Sequence, residues 1–135
     1  MKAWILMVLA LTLPAAAMAE EEKDAAAPKV SYISLTPPFV GNYGLDGSPR
    51  LRVFKADVAL KVSNDADAAA VKHHDALIRN QLVALFTQQS LEAMSNVEAK
   101  EKLRQEALKQ VQIVLETEEG RPVVEDLLFN NLIVQ

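Results

Sequence analysis

A chain of 135 residues is long enough for one domain and too short for two with separate cores. Its 14 basic and 18 acidic side chains leave a formal charge of −4, which argues against a nucleic-acid binder with its basic stripe and against the polybasic patch of a lipid-surface protein. It has no cysteine, so neither a disulfide nor a lipid-modified cysteine holds it, and none of its 4 glycines falls in the spacing of a phosphate-cradling loop.

The chain opens with "MKAWILMVLALTLPAAAMAEEEK". One lysine (Lys2), an apolar run from Ala3 to Leu13, Pro14, and Ala17-Met18-Ala19 before an acidic cluster form the layout of a secretory signal peptide cleaved after Ala19. The rival is a short N-terminal membrane anchor, but a spanning helix needs about 20 apolar residues. Only 17 residues separate Lys2 from Glu20, with Pro14 among them. Both readings export the body of the protein. Removing Lys2 with the leader takes the 14 basic residues to 13 against 18 acidic ones, a formal charge of −5. Residues 20–28, "EEEKDAAAP", hold no large apolar side chain and read as a flexible acidic, alanine-rich tether. The folded domain is then 29–135.

That domain starts with a β-like run from Val30 to Leu35, which Pro37-Pro38 ends or confines to a sheet edge. Asp46-Gly47 supplies a hairpin-turn pair. In "RLRVFKADVALKV", Phe54, Ala56, Val58, Leu60 and Val62 share one face of a strand, with Lys55, Asp57 and Lys61 on the other. Leu51 and Val53 have the opposite parity, which predicts a bulge or face change near Val53. Asn64 or Asp65 can cap the helix that follows, whose stripe is Val71, His74, Ile78, Leu82 and Leu85, flanked by Leu77 and Phe86. A second helix starts at a Ser95/Glu98 capping box and stops at Gly120 and Pro122. Leu103, Ala107, Leu108, Val111, Val114 and Leu115 form its apolar stripe. The closing "PVVEDLLFNNLIVQ" is apolar on both parities and reads as a central strand buried on both sides. The expectation is an α+β domain in the order β-β-α-α-β, a small antiparallel sheet covered by two helices.

The segment "VKHHDALIRNQLVALF" crowds the residues that most suggest chemistry. His73 and His74 are adjacent, so they point about 100° apart around a helix instead of sharing a face as zinc-binding i, i+4 histidines do. No other histidine or cysteine exists to complete a metal set. Asp75 stands four residues before Arg79, the spacing of a helix-surface ion pair; Asn80 has no such account. Serine nucleophiles lack an elbow motif. Glu118-Glu119 and Glu125-Asp126 flank element ends, where solvated acids are the default. The expectation is no enzyme, no catalytic, metal or cofactor site, and no small-molecule substrate.

In chain order, "YISLTPPFVGNY", "LRVFKADVAL", "HHDALIRNQLVALFTQQS" with Ile78-Arg79-Asn80, "AKEKLRQEALKQVQIVL" with Lys100, Leu103 and Arg104, and "VVEDLLFNNLIVQ" closing on Gln135 resemble the landmarks of the flagellar basal-body-associated protein FliL family. The resemblance spans about 105 residues and reaches the C-terminus. It implies a periplasmic domain similar to the stomatin/prohibitin type, close to the inner membrane and without catalysis. It also implies homo-oligomeric rings around the stator units of the flagellar motor, supporting swimming and swarming. Two features depart from the family. The leader is short where members carry a full transmembrane helix, and "FVGNY" places Gly41 and Tyr43 where more apolar residues are usual. The short leader leaves open an alternative: a soluble periplasmic binding or envelope-assembly module not tied to the flagellum.

Overall fold

Period-two alternation sets the sheet. β1 (Ser31–Tyr43) and β2 (Arg52–Val62) pair antiparallel, and β3 (Asp126–Val134) adds to the other side of β2, so the sheet order is β1-β2-β3. The computed structural model describes residues 28–44 and 50–135; the leader, the tether through Ala27 and the Asp46-Gly47 turn lie outside them. Helices α1 (Asp65–His73), α2 (Asp75–Thr87) and α3 (Val97–Glu119), with a 3-10 turn at Glu92–Met94, cover one face. α2 packs on β1, α3 on β3, and the two pack on each other. The α+β architecture follows the expectation, with one helix more than the sequence suggested.

That extra helix arises at His74. The backbone there has φ −99° and ψ 18°, which bends the predicted single helix into α1 and α2. The hydrogen-bond ladder still passes through: His74 N–H donates to Ala70 O at 3.0 Å, and Ile78 N–H donates to His74 O at 3.0 Å. The joint is a one-residue bend in a continuous helical path.

The inward face of β2 is as the alternation requires, with Phe54, Ala56, Val58, Leu60 and Val62 all buried. Against it pack Val71, Ile78, Leu82 and Phe86 from α1 and α2, and Leu103, Ala107, Val111 and Leu115 from α3, at four-residue spacing. His74, Leu85, Leu108 and Val114 sit half-buried at the margin, and Leu77 is exposed. Gly41 leaves room for the Phe54 ring, which a Cβ there would meet at 3.0 Å and push by a few tenths of an ångström.

Two strand expectations are corrected. No bulge occurs at Val53: the β1–β2 register runs regularly from Phe39↔Ala56 to Tyr43↔Arg52, and Leu51 and Val53 are simply exposed. The irregularities lie in the partners. In β1, Thr36-Pro37-Pro38 faces the single residue Asp57, and those two extra residues keep Leu35 and Phe39 on the same inward face. β3 is an edge strand and not a central one. Its register slips by one at Asn130, between Val58↔Phe129 and Asp57↔Asn131. One extra residue flips the parity, so Leu127 and Phe129 before the bulge, and Leu132 and Val134 after it, all turn toward the helices. Apolar residues of both parities thus come from a bulge, not from burial on both faces.

Helix ends follow hydrogen-bonding needs. Asn64 caps α1, accepting from Asp67 N–H at 2.8 Å. Gly120, at φ 76°, ends α3. The α3 cap is Asn96, whose Oδ1 accepts from Ala99 N–H at 2.8 Å, and not Ser95, whose hydroxyl donates to Glu92 O at 2.9 Å. Replacing Asn96 with alanine should therefore cost about 1 kcal/mol in thermal denaturation, while Ser95→Ala stays within about 0.5 kcal/mol. The reverse ranking would restore the Ser95/Glu98 box.

Candidate functional site

The crowded segment around His73 and His74 resolves into separate structural roles. His74 Nε2 lies 2.7 Å from Glu119 Oε1, tying the α1–α2 joint to the last turn of α3. His73 is exposed and meets the His74 ring edge-on, with centroids 4.7 Å apart. The expected Asp75–Arg79 pair does not form. Arg79 instead lays its guanidinium 4.3 Å over the Phe39 ring, where an aromatic face attracts a cation. Its Nη1 is buried without a hydrogen bond. Asn80 is exposed on α2. Among the described residues, no group of three or more His, Cys, Asp or Glu side chains is placed to hold a metal ion.

The paired carboxylates also separate. Glu119 goes to His74, Glu125 lies 3.7 Å from Lys61, and Asp126 accepts from Arg104 at 2.6 Å. Arg104 is the densest polar junction. Its Nε and Nη2 take the two carboxylate oxygens of Glu101 at 2.9 and 2.6 Å, and its Nη1 reaches both Asp126 and the Leu127 carbonyl. This fork fixes the start of β3 against α3. The hydrogen bonding that Arg104 donates to Glu101, foremost, pushes the Arg104 pKa up and holds the Glu101 carboxyl below its ordinary value.

A depressed carboxylate contributes stability above its unfolded pKa and loses it as pH falls through the folded value. Stability should accordingly decline on acidification below about pH 4.5, and Glu101→Gln should make that decline shallower. Urea titrations at several acidic pH values measure it, and parallel acid limbs for the two proteins would exclude the contribution. The helical spacing places Arg104 beside Leu103 on its helix but carries no signal for partners 22 and 23 residues away.

Three solvent-facing surfaces lack cover. On α2, Leu77 and Val83 are 45% and 42% exposed around Asn80. Between Asp75 and Thr87 the only other charge is Arg79, which turns to Phe39. On the opposite side, the open sheet face shows Val40, Val53 and Ile133 around Lys55, lining a shallow depression of about 250 Å³. The third is a cleft of about 410 Å³ between the first turns of α3 and Leu128, Phe129 and Asn130 of β3. Among the described residues no helix is long and apolar enough to cross a membrane.

No curated protein matches the chain. The family model described as "Flagellar basal body-associated protein FliL" matches residues 32–135, which include part of β1 and every later element through β3. Covering well over half of the chain and all three surfaces just described, that match shows that the chain belongs to the FliL family of flagellar basal body-associated proteins.

Proposed function

We propose that this protein is a non-enzymatic periplasmic scaffold of the flagellar motor, which assembles as a homo-oligomeric ring beside the stator units and supports flagellum-dependent motility. The observation that carries the reading is the family match over residues 32–135. The surface chemistry agrees with it. The uncharged α2 face and the apolar open sheet face lie on opposite sides of the domain. Dissimilar apolar patches on opposite sides suit head-to-tail contacts, which form a ring where the rotation between subunits closes. Asn80 then sits within a contact face, where a polar group fixes register more than it adds affinity. A fold of the stomatin/prohibitin type belongs to the same reading.

Deleting the gene should reduce spreading in soft agar and lower the number of stator units held at the motor. Unchanged swimming, swarming and stator retention would overturn the proposal. The leader motivates the second reading, a soluble periplasmic module that works away from the flagellum. A mature N-terminus at Glu20, together with affinity purification that recovers no basal-body component, would favour it.

A further inference from the structure

The outer edge of β3 is where the fold leaves backbone hydrogen-bonding capacity unused. Val53 and Gln135 exchange both backbone bonds, at 3.1 and 2.9 Å. Antiparallel pairing alternates along a strand, so Ile133 and Asn131 also turn their backbone groups to β2, while Leu132 and Val134 turn theirs outward. Beyond the Asn130 bulge the edge is guarded. Leu127 N–H donates to Asp126 Oδ1 at 2.8 Å, and Leu127 O accepts from Arg104 at 3.0 Å. One end of the edge is closed by side chains and the other is open.

α3 borders the guarded end and shapes the space beside it. The cleft of about 410 Å³ runs between its first turns and β3. Val97 lines it and is 82% exposed, an apolar side chain with nothing packed on it. Glu101 and Arg104 neutralise each other, whereas Lys100 on the same wall forms no ion pair among the described residues.

We propose that the β3 edge docks an extended segment of a partner protein. The segment adds as a fourth strand, packs an apolar side chain against Val97 and sets an acidic one at Lys100. A row of outward N–H and C=O groups specifies an extended backbone, and the cleft and Lys100 specify its side chains. Two other occupants fit less well. The tether "EEEKDAAAP" is acidic but has no β-branched or aromatic side chain to fill the cleft. A second copy pairing its own β3 edge would bring no free acid to Lys100, because the one carboxylate of β3, Asp126, is held by Arg104; its β1 edge carries no acid at all, and there Pro37 and Pro38 supply no N–H. The inference rests on edge geometry and is independent of the flagellar role.

The test uses the full chain, ¹⁵N-labelled and purified from an exporting host. The probe is a synthetic peptide alternating valine with glutamate and threonine. Titration should shift the amides of Leu132, Val134 and Lys100. N-methylating the peptide amides on one edge should weaken binding about tenfold, the loss of one or two hydrogen bonds. Lys100→Glu should weaken it about tenfold as well, while Lys72→Glu, exposed on α1 beside β1 at the other edge of the sheet, leaves it unchanged. Four outcomes of the peptide titrations would overturn the proposal. These are no shifts at millimolar peptide, shifts confined to Val40 and Val53, equal binding of the N-methylated peptide, and tighter binding by a peptide of residues 20–28. The same amides shifting on protein concentration alone would assign the edge to a second copy and also overturn it.

Discussion

Replacing Phe86 with alanine is expected to remove about 3–5 kcal/mol of folding stability, a large fraction of the roughly 5–15 kcal/mol a domain usually has. The chain has 4 phenylalanines, and Phe86 touches the other three. Its ring lies 5.6 Å from both Phe39 and Phe54 in edge-on contacts and 5.9 Å from Phe129, and it is 0% exposed. These partners come from all three strands, so this one side chain joins α2 to the whole sheet. Alanine would leave a void bounded by ring faces, and edge-on aromatic pairs lose about 0.5–1.5 kcal/mol each beyond area burial. Phe86→Leu, which keeps aliphatic bulk, should cost about 1–2 kcal/mol. Urea unfolding should show a lower midpoint with an unchanged slope. A loss below about 1 kcal/mol for the alanine variant would show that the aromatic cluster is not the keystone its geometry indicates.

What the sequence made legible, and what it hid, divides along local and non-local lines. The inward face of β2 was readable to the residue because alternation is a property of neighbours, and every residue from Phe54 to Val62 on that parity is buried. The stripe of α3 and its end at Gly120 were readable for the same reason. β3 misled because a one-residue bulge at Asn130 exchanges the two parities midway, and only the partner strand reveals the bulge. Asp75–Arg79 misled because a favourable spacing does not compete with an aromatic face that tertiary packing brings to the guanidinium. Ser95 misled by one residue: two adjacent cap-formers offered themselves, and the extended backbone at Asn96, with φ −143° and ψ 170°, suits the cap. The family resemblance survived all three errors, since it depended on the order of landmarks and not on their pairing. The three bare surfaces were outside reach altogether, because exposure of Val97 or Val40 depends on where another element fails to pack.

Asp67→Ala is the second large expected effect, about 2–3 kcal/mol. Asp67 is the one charged residue buried among those described, at 3% exposure, in the first turn of α1. Its carboxylate accepts from Ser63 Oγ and Asn64 Nδ2, both at 3.3 Å, and pairs through Oδ1 with Arg121 Nη2. It therefore holds the α1 cap together, complements the helix dipole and anchors the chain just past α3. Arg121 is about half exposed, so its share is discounted for solvent screening. A double-mutant cycle with Arg121→Ala should still give a coupling of about 1–2 kcal/mol, because the carboxylate side is dry. The contrast is Lys29–Asp65, 3.9 Å apart with both side chains mostly in water, whose cycle should return close to zero. The hydrogen bond to Asp67, foremost, raises the Arg121 pKa above the usual guanidinium value. A raised cation contributes fully below its unfolded value and loses that contribution only as pH climbs through the folded one, so this coupling should be flat from neutral to mildly alkaline pH. Moderate salt should hardly change it, since partly buried pairs are poorly screened. Coupling below about 0.5 kcal/mol, or coupling that salt abolishes, would mean that Asp67 serves α1 alone and does not join it to α3.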